Sequence, residues 1–279
     1  GSTNHHSNPM DVVKSNLDAL ISNLLGSAKA KADEVVCICL GMAGVDRPED
    51  KPLIKGLVAE FLPKAECIPV NDAVIALTGG ASKPVGIIVI AGTGSIAFGF
   101  DEAGTRCRAG GWGHILGDEG SGYMLGLRAM RAVMRAYDQR TPPTKLHDIV
   151  LGHFGFDRPE QLLGWTKEIQ GSKAEIGALS RLVFTACEQG DEVALQIVRE
   201  EAAELASCAE AVAKRLFPGR KDIEIVVGGG NLRKSPIYFQ AFQDAVDKVL
   251  PGVNAIRPRK EPVEGAVIYA MAKYGKGVA

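Results

Sequence analysis

The sequence has 279 residues, so at roughly 150 residues per domain it is long enough for two domains or one large one. Hydrophobic residues make up 46% and charged residues 23%, which excludes a disordered or fibrous chain. The formal net charge of -1 excludes a global basic field for nucleic acid or an anionic membrane, so we expect small-molecule partners. No apolar run approaches the ~20 residues of a bilayer span, and the polar start from Ser2 to Asn8 is no signal peptide, so we expect a cytoplasmic protein.

The first part of the sequence alternates helix and strand. Asn8 and Pro9 make an N-cap and a first helical position, and apolar residues at helical spacing follow through Leu25. The apolar run from Val35 to Leu40, rich in β-branched residues, predicts a buried strand. A second helix and a short strand from Cys67 to Val70 come next, and another helix follows them. This order of elements predicts a parallel sheet.

A second pattern begins after Lys83-Pro84. Three apolar strands with short turns between them predict a β-meander: Gly86 to Ala91, Ile96 to Phe100 and Thr105 to Ala109. The segment from Gly110 to Gly122 is too rich in glycine for regular structure, and a loop of this length in a packed chain is usually functional. We therefore expect a second domain to open with the meander.

The rest of the chain is mostly helical. We expect a nearly all-helical stretch from Pro142 to Phe217, a strand from Ile223 to Val227 that leads into Gly228-Gly229-Gly230, and a last helix from Val263 to Tyr274. Ser172 with Glu175 fits a capping box. Asp191 and Ser235 are the predicted N-caps of two later helices.

Asp72 is a candidate catalytic residue. It lies at the carboxyl end of a predicted parallel strand, where open α/β sheets bind ligands. A carboxylate there can accept a proton from a hydroxyl nucleophile. The alternative is an N-cap for the helix that begins at Ala73, and the residue considered alone favours the cap.

The segment Gly92-Thr93-Gly94-Ser95 is a candidate phosphate site, because its backbone amides and two hydroxyls can surround an anion. A simple hairpin turn between two strands is the alternative, and the segment considered alone favours it. No Gly-Lys-Ser/Thr follows and the next element is a strand, which excludes a Walker P-loop.

Two further glycine clusters offer ligand sites. Within Gly110 to Gly122, Trp112 supplies an aromatic face and Asp118-Glu119 supplies carboxylates suited to sugar hydroxyls. His114 in the same loop can contact a ligand or only hydrogen-bond the loop. Gly228-Gly229-Gly230 lets a flat ligand lie against the backbone, with a strand-to-helix turn as the alternative.

The six cysteines show no Cys-x-x-Cys pair and no matching histidine spacing. The sequence therefore suggests neither a zinc site nor a disulfide framework, and we expect buried thiols. We assign no residue as a metal ligand.

The order of the motifs resembles the N-acetylglucosamine kinase family, whose wider relatives are the benzoyl-CoA reductase activator ATPases within the actin, hexokinase and heat-shock-ATPase fold. The resemblance covers nearly the whole chain and rests on five motifs: Ser2-Thr3-Asn4-His5, Asn71-Asp72-Ala73, Gly92-Thr93-Gly94-Ser95, the block from Gly110 to Ser121, and Gly228-Gly229-Gly230. It implies an α/β protein with two ribonuclease-H-like lobes. Residues 1–83 with 262–279 would form the first lobe, and residues 84–261 the second.

The resemblance also implies roles for single residues. Asp72 would take the proton from the sugar 6-hydroxyl, which attacks the γ-phosphate of ATP in line. The implied nucleotide contacts are Gly92, Thr93, Gly94, Ser95, Gly229 and Gly230. The implied amino-sugar contacts are Asn4, His5, Asp72, Gly111, Trp112, Gly113 and Asp118. The resemblance further implies Mg²⁺ as the companion of ATP and a homodimer as the assembly.

One departure from the family concerns the first lobe. The family begins with a strand, an acidic Gly-Gly-Thr phosphate loop and two more strands ahead of the Ser-Thr-Asn-His segment, and the given sequence starts at that segment. We therefore expect a first lobe that is incomplete at its amino terminus, without the usual magnesium-side aspartate. Little kinase activity is expected until that segment is added.

Three other functions stay open. A reductive-activator ATPase needs cysteines that share an iron–sulfur cluster, and Cys107 and Cys187 show no such local motif. A non-catalytic sugar-binding or regulatory module would bind sugar without ATP turnover. A nicotinamide dehydrogenase is least favoured, since no Gly-x-Gly-x-x-Gly joins a strand to a helix. Among kinase substrates, glucosamine, N-acetylglucosamine, N-acetylmannosamine and N-acetylmuramate all remain candidates.

Overall fold

The computed structural model describes residues 1–45, 47–169 and 171–275. These residues form two compact units. The first unit contains residues 1–85 and the described residues from 258 onward, and the second contains residues 86–257. Within the described ranges, no helix has both the length and the apolar character needed to cross a membrane.

The first unit begins with alternating helices and strands. Its α-helices and strands before residue 86 are α1 (Met10–Ala28), β1 (Cys37–Met42), α2 (Asp50–Ala59), β2 (Glu66–Asn71) and α3 (Asp72–Ala81), and a short 3-10 helix, Ala32–Glu34, precedes β1. β1 and β2 are parallel, as predicted, with Cys37 opposite Glu66 and Met42 opposite Asn71. β1 begins later than predicted and continues to Met42, because its pairing with β2 extends to the end of that strand.

The core of the first unit lies between α1, α2 and the two strands. The helices contribute five side chains that are no more than 3% exposed: Val13, Leu17, Ile21, Ile54 and Val58. Full burial of such a side chain stabilises the fold by about 1.5–3 kcal/mol. The predicted cap of α1 is wrong, because the helix begins at Met10 and Pro9 occupies the N-cap position in place of Asn8.

The second unit is built on one sheet. Its elements are β3 (Gly86–Ala91), β4 (Ser95–Phe100), β5 (Arg106–Gly110), α4 (Gly122–Tyr137), α5 (Leu146–Phe154), α6 (Gln161–Glu168), α7 (Lys173–Ala178), α8 (Ser180–Glu188), α9 (Glu192–Leu216), β6 (Glu224–Gly228), α10 (Gly230–Lys234), α11 (Pro236–Val249) and β7 (Asn254–Ile256). The strand order is β5-β4-β3-β6-β7. The predicted meander is confirmed by the antiparallel β3-β4 and β4-β5 pairs, and β6 is parallel to β3.

Two of the three helix caps predicted for the second unit are confirmed by the structure. The carboxylate of Asp191 accepts the Ala194 amide at 2.7 Å, and the Ser235 hydroxyl accepts the Tyr238 amide at 3.2 Å. Ser172 occupies the N-cap position of α7, but its side chain makes no capping hydrogen bond, so the predicted capping box is wrong. The short β7 and α10 were not predicted, since elements of three and five residues leave no periodic pattern.

The chain then returns to the first unit with α12 (Pro262–Tyr274), which packs against α3. A Cβ on Gly265 would lie 2.0 Å from the backbone oxygen of Ile75, so this close approach requires glycine. The Lys260 amide donates to the Gly79 oxygen at 3.2 Å. These contacts hold α12 and the segment before it against α3, the helix whose first residue is Asp72.

Candidate functional site

Asp72 follows β2 directly and is the first residue of α3. Asn71 occupies the N-cap position, and its Oδ1 accepts the Ala73 amide at 2.9 Å. Asp72 Oδ1 lies 3.0 Å from the same amide nitrogen, but Asp72 is exposed whereas Asn71 is buried. The interpretation of Asp72 as the N-cap is therefore wrong. Asp72 is an exposed carboxylate at the carboxyl end of a parallel strand, and its catalytic role stays a prediction.

The segment before α1 forms a second polar group in the first unit. Asn4, which is half-buried, accepts the His6 amide at its Oδ1 at 3.0 Å. His5 Nε2 lies 2.8 Å from Asp50 Oδ1, and His6 Nε2 lies 3.1 Å from the same oxygen. The His5 side chain is only 5% exposed, so its ring is engaged with Asp50. Sequence reasoning missed Asp50, which is 45 residues away from His5.

The segment from Gly92 to Ser95 is the turn of the β3-β4 hairpin, as the simpler interpretation predicts. The Gly92 amide donates to the Gly94 oxygen at 2.9 Å, and the Gly92 oxygen accepts the Gly122 amide at 2.7 Å. Among the described residues, the amides of Thr93 and Gly94 have no protein acceptor. Two adjacent N–H groups of this kind can bind an anion, so the turn is also compatible with the phosphate interpretation.

Asp118 lies beside this turn and is 3% exposed. Its Oδ1 accepts the Ser95 amide at 3.3 Å, and its Oδ2 accepts a hydrogen bond from Lys173 Nζ at 2.5 Å. A Cβ on Gly94 would lie 2.8 Å from the same ammonium, so Lys173 stands directly against the turn. Sequence reasoning missed Lys173, because 55 residues separate it from Asp118 and no local motif marks it.

The glycine cluster after β6 also reaches the turn. Gly229 has a φ of +77°, and a Cβ there would lie 2.3 Å from the Ala91 oxygen, so glycine is required on both counts. Asn231 Nδ2 donates to the Gly92 oxygen at 3.0 Å. By contrast, a Cβ built on Gly230 would meet no atom within 4 Å apart from its chain neighbours and the backbone of its own helix. The structure thus brings Gly229 next to the Gly92 turn and leaves open space beside Gly230.

Gly111, Trp112 and Gly113 lie in the loop that follows β5. Trp112 is 62% exposed, and the guanidinium carbon of Arg108 lies 4.3 Å from its ring centroid. The next apolar side chains, Ile115 and Leu116, are 84% and 78% exposed. The loop therefore presents apolar side chains to solvent, which is consistent with a ligand-facing role.

Buried polar contacts hold the end of this loop. The Gly120 amide donates to Glu201 at 2.6 Å, and the Gly120 oxygen accepts the Tyr238 hydroxyl at 2.6 Å. Glu201 also accepts from Arg128 at 2.9 Å. Burial raises the pKa of Tyr238 well above its usual value of 10. Sequence reasoning missed these residues too, because Glu201 and Tyr238 lie 81 and 118 residues beyond Gly120.

The candidate residues therefore fall into two groups. In the second unit, the Gly92 turn, Asp118 and Gly229 are in direct contact, whereas Trp112 lies in the loop between β5 and α4. Asn4, His5 and Asp72 belong to the first unit.

The cysteines are all free, and three of the six are buried: Cys67, Cys107 and Cys187. The other three are half-buried, so the expectation of buried thiols is only half right. Burial raises the pKa of Cys39 to about 12 and that of Cys67 to about 11. Such thiols stay protonated near neutral pH and are therefore weak nucleophiles.

Known proteins with related sequences are sugar kinases. An N-acetylmuramic acid/N-acetylglucosamine kinase of Clostridium acetobutylicum is 36% identical over 273 residues, which cover 98% of this chain and 89% of the relative. An N-acetyl-D-glucosamine kinase of Dictyostelium discoideum is 32% identical over 280 residues, which cover 96% and 88%. A solved Chromobacterium violaceum structure, provisionally assigned as an N-acetylglucosamine kinase, is 26% identical with a TM-score of 0.63, covering 91% of this chain and 84% of that one.

Solved ROK-family and hexokinase structures share the architecture at lower identity. The chain therefore has the α/β fold that these structures share, as the sequence predicts. The model of the BadF/BadG/BcrA/BcrD ATPase family matches residues 1–270. The chain belongs to this family.

Proposed function

We propose that this protein is an ATP-dependent kinase that phosphorylates the 6-hydroxyl of N-acetylglucosamine or a close relative. The observation that carries the proposal is the Gly92 to Ser95 turn, which holds two amides without a protein acceptor among the described residues. Asp118 contacts this turn at Ser95, and Gly229 contacts it at Gly92. Family membership supports the use of ATP. The names of two relatives support an N-acetylated amino sugar as the acceptor.

The second unit would bind the nucleotide. The Thr93 and Gly94 amides would donate to phosphate oxygens, and the Lys173 ammonium beside them would balance phosphate charge. Gly92 lets the backbone approach the phosphates, and the Ser95 hydroxyl, which donates to Glu119 at 2.6 Å, helps to fix the turn. Gly229 and Gly230 would border the adenosine, where the open space beside Gly230 suits a flat ring.

Asp72 would act as the general base. It would take the proton of the 6-hydroxyl while the sugar oxygen forms a bond to the γ-phosphorus. The bond from that phosphorus to the bridging oxygen of ADP would break in line, without a covalent enzyme intermediate. Its exposure supports this role, because Asn71 supplies the helix cap in its place.

Each unit by itself carries proposed amino-sugar contacts. In the first unit these are Asn4 and Asp72, with His5 acting through the turn that carries Asn4, since its own ring faces Asp50. In the second unit they are Gly111, Trp112, Gly113 and Asp118. Arg108 stacks on the Trp112 ring, and a side chain 62% exposed still has area for a sugar ring.

Mg²⁺ would accompany ATP and neutralise charge on its phosphates. The Thr93 and Gly94 amides fit a phosphate group, and we assign no protein ligand to the metal itself. A cytoplasmic location, where ATP is available, and a homodimer are further parts of the proposal, and no nucleic acid or membrane partner is included.

The test is a coupled assay of ADP release by the chain preceded by the family's amino-terminal strands and phosphate loop. The acceptors are N-acetylglucosamine, N-acetylmuramate, glucosamine and glucose, and mass spectrometry identifies the sugar product. The matched control is 6-deoxy-N-acetylglucosamine, which keeps the other sugar groups but lacks the acceptor hydroxyl. We expect ADP release and a 6-phosphorylated product with an N-acetylated sugar, and none with the 6-deoxy analogue.

Two other outcomes would contradict the proposal. Sugar binding by calorimetry without any ADP release would identify a non-catalytic sugar-binding module. ADP release that does not depend on any sugar would identify an ATPase of the activator type.

A further inference from the structure

We propose that His5, His6 and Asp50 bind one divalent transition-metal ion, such as Zn²⁺ or Co²⁺, distinct from the Mg²⁺ that accompanies ATP. One donor atom from each residue lies within 4.8 Å of those of the other two. Two imidazoles and one carboxylate form a donor set that proteins use for Zn²⁺ and Fe²⁺. Imidazole nitrogen also selects these ions over Mg²⁺, which prefers oxygen.

The three donors already converge. Both Nε2 atoms point to one oxygen of Asp50, at 2.8 Å from His5 and 3.1 Å from His6, and the two rings lie 4.0 Å apart. Ligands bound at about 2.1 Å from one ion stand about 3.0–3.4 Å from each other. If each histidine nitrogen moved a few tenths of an ångström away from the Asp50 oxygen, the ion would fit between the three donor atoms.

The buried side of the group is held in place. Asp50 is 2% exposed, and the Arg47 amide donates to its other oxygen at 2.6 Å, which fixes the carboxylate plane. His5 Nδ1 is buried and has no hydrogen-bond partner in the described structure. A bound divalent ion would bring positive charge to the buried Asp50 carboxylate, which already contacts both imidazoles.

The other side of the group is open. The His6 side chain is 41% exposed, so an ion and its remaining water ligands can approach from solvent. The His6 amide is held by Asn4 Oδ1, and a Cβ on Gly44 would lie 3.1 Å from the His6 ring. The ion would therefore tie α2 to the turn that carries Asn4.

The test is titration of the metal-free protein with Co²⁺, followed by its visible d–d absorption and by calorimetry. We expect one ion per chain and a rise in the unfolding temperature. His6→Gln and Asp50→Asn should weaken binding by roughly 10- to 100-fold. The matched control is His147→Gln, which removes an exposed histidine with a similar 2.8 Å contact to Asp148 and should leave binding unchanged.

Three results would overturn the proposal. If the protein bound no Co²⁺ at millimolar concentration, His5, His6 and Asp50 would be only a hydrogen-bonded group. The His6 side chain is half-exposed, so the His6→Gln variant should fold. If that variant bound Co²⁺ as tightly as the unsubstituted protein, the ion would lie elsewhere. Intense near-ultraviolet charge-transfer bands would assign it to the free thiols. Because none of these readouts uses ATP or a sugar, the result is independent of the proposed kinase activity.

Discussion

The candidate residues of the two units are built in different ways. In the second unit the site consists largely of backbone: a hairpin turn with two available amides and a glycine in a left-handed conformation packed against it. In the first unit it consists of side chains, an exposed Asp72 and a turn that carries Asn4. A backbone site fails when a side chain is added, whereas a side-chain site fails when one is removed. The two units should therefore respond to opposite kinds of substitution.

The largest effect is expected from Asp72→Asn in the first unit. Removal of a general base typically lowers turnover about 10²- to 10⁴-fold. Amino-sugar affinity and the unfolding temperature should stay nearly unchanged, because Asn71 supplies the cap of α3. Turnover and sugar affinity are measured on one preparation of the chain preceded by the family's amino-terminal strands and phosphate loop.

The matched control for Asp72→Asn is Asn71→Ala. Loss of an N-cap should lower the free energy of unfolding by about 0.5–2 kcal/mol. Near-normal turnover in the Asp72→Asn variant would remove Asp72 from the mechanism and make the exposed carboxylate incidental.

The second unit should show the opposite sensitivity in Gly229→Ala. The new Cβ would lie 2.3 Å from the Ala91 oxygen at a φ of +77°. Overpacking and backbone strain together should lower the free energy of unfolding by about 2–5 kcal/mol. Nucleotide affinity should fall as well, because the Gly92 turn must shift.

Gly230→Ala is the control for Gly229→Ala, since nothing lies within 4 Å of its Cβ. Its free energy of unfolding should change by no more than about 0.5 kcal/mol. Urea unfolding and calorimetry with ADP compare the two variants. Equal tolerance of both substitutions would mean that the contact between the glycine cluster and the turn is loose.

A smaller effect is expected from Asp118→Ala. A carboxylate hydrogen bond to a ligand hydroxyl contributes about 1.5–3 kcal/mol, so amino-sugar binding should weaken by several-fold to roughly a hundredfold. ATP affinity should change less. Lys173→Met should weaken ATP binding more than amino-sugar binding, because it removes the cation beside the Gly92 turn and leaves the Asp118 carboxylate in place.

Calorimetry with sugar and nucleotide on both variants decides this prediction, and Lys167→Met, an exposed lysine on α6, is the control. If Asp118→Ala spared the sugar and lost ATP, the carboxylate would serve to hold Lys173 and the Ser95 amide.

The difference between backbone and side-chain sites also explains what the sequence could predict. Glycine clusters mark close approaches and left-handed backbone, so the Gly92 turn and Gly229 could be found from composition alone. Caps such as Asp191 and Ser235 could be found because their partners lie three residues away. The order of helices and strands along the sequence was enough to predict the parallel β1-β2 pair and the β3-β4-β5 meander.

The residues that could not be found from the sequence share a different property. Lys173, Asp50, Glu201 and Tyr238 act through partners between 45 and 118 residues away. No periodicity or local motif records such a contact, because it forms only when distant elements pack. Ser172 and Glu175 show the converse, since a correct local pattern gave no capping hydrogen bond once α7 had packed.

The smallest effect at neutral pH is expected from Tyr238→Phe, which removes the hydrogen bond that holds the Gly120 oxygen of the backbone site. Loss of that bond should lower the free energy of unfolding by about 1 kcal/mol at pH 7. The free energy of unfolding at alkaline pH tests the role of Tyr238 more sharply, because burial raises the Tyr238 pKa above 10 in the folded state. The unfolded chain therefore releases this proton first, and stability contributed by the protonated phenol is lost as the pH rises above about 10.

In Tyr238→Phe the loss of stability between pH 10 and 11 should be less steep, by at most about 1.4 kcal/mol per pH unit. Urea unfolding across this range measures the slope. Tyr137→Phe is the control, because its phenol is exposed at the surface, where water screens its contact with Glu160, and its slope should change far less. Identical slopes for the unsubstituted protein and Tyr238→Phe would mean that the loop opens before the protein unfolds. The hydrogen bond from Tyr238 would then not be what holds the Gly120 end of the backbone site in the folded protein.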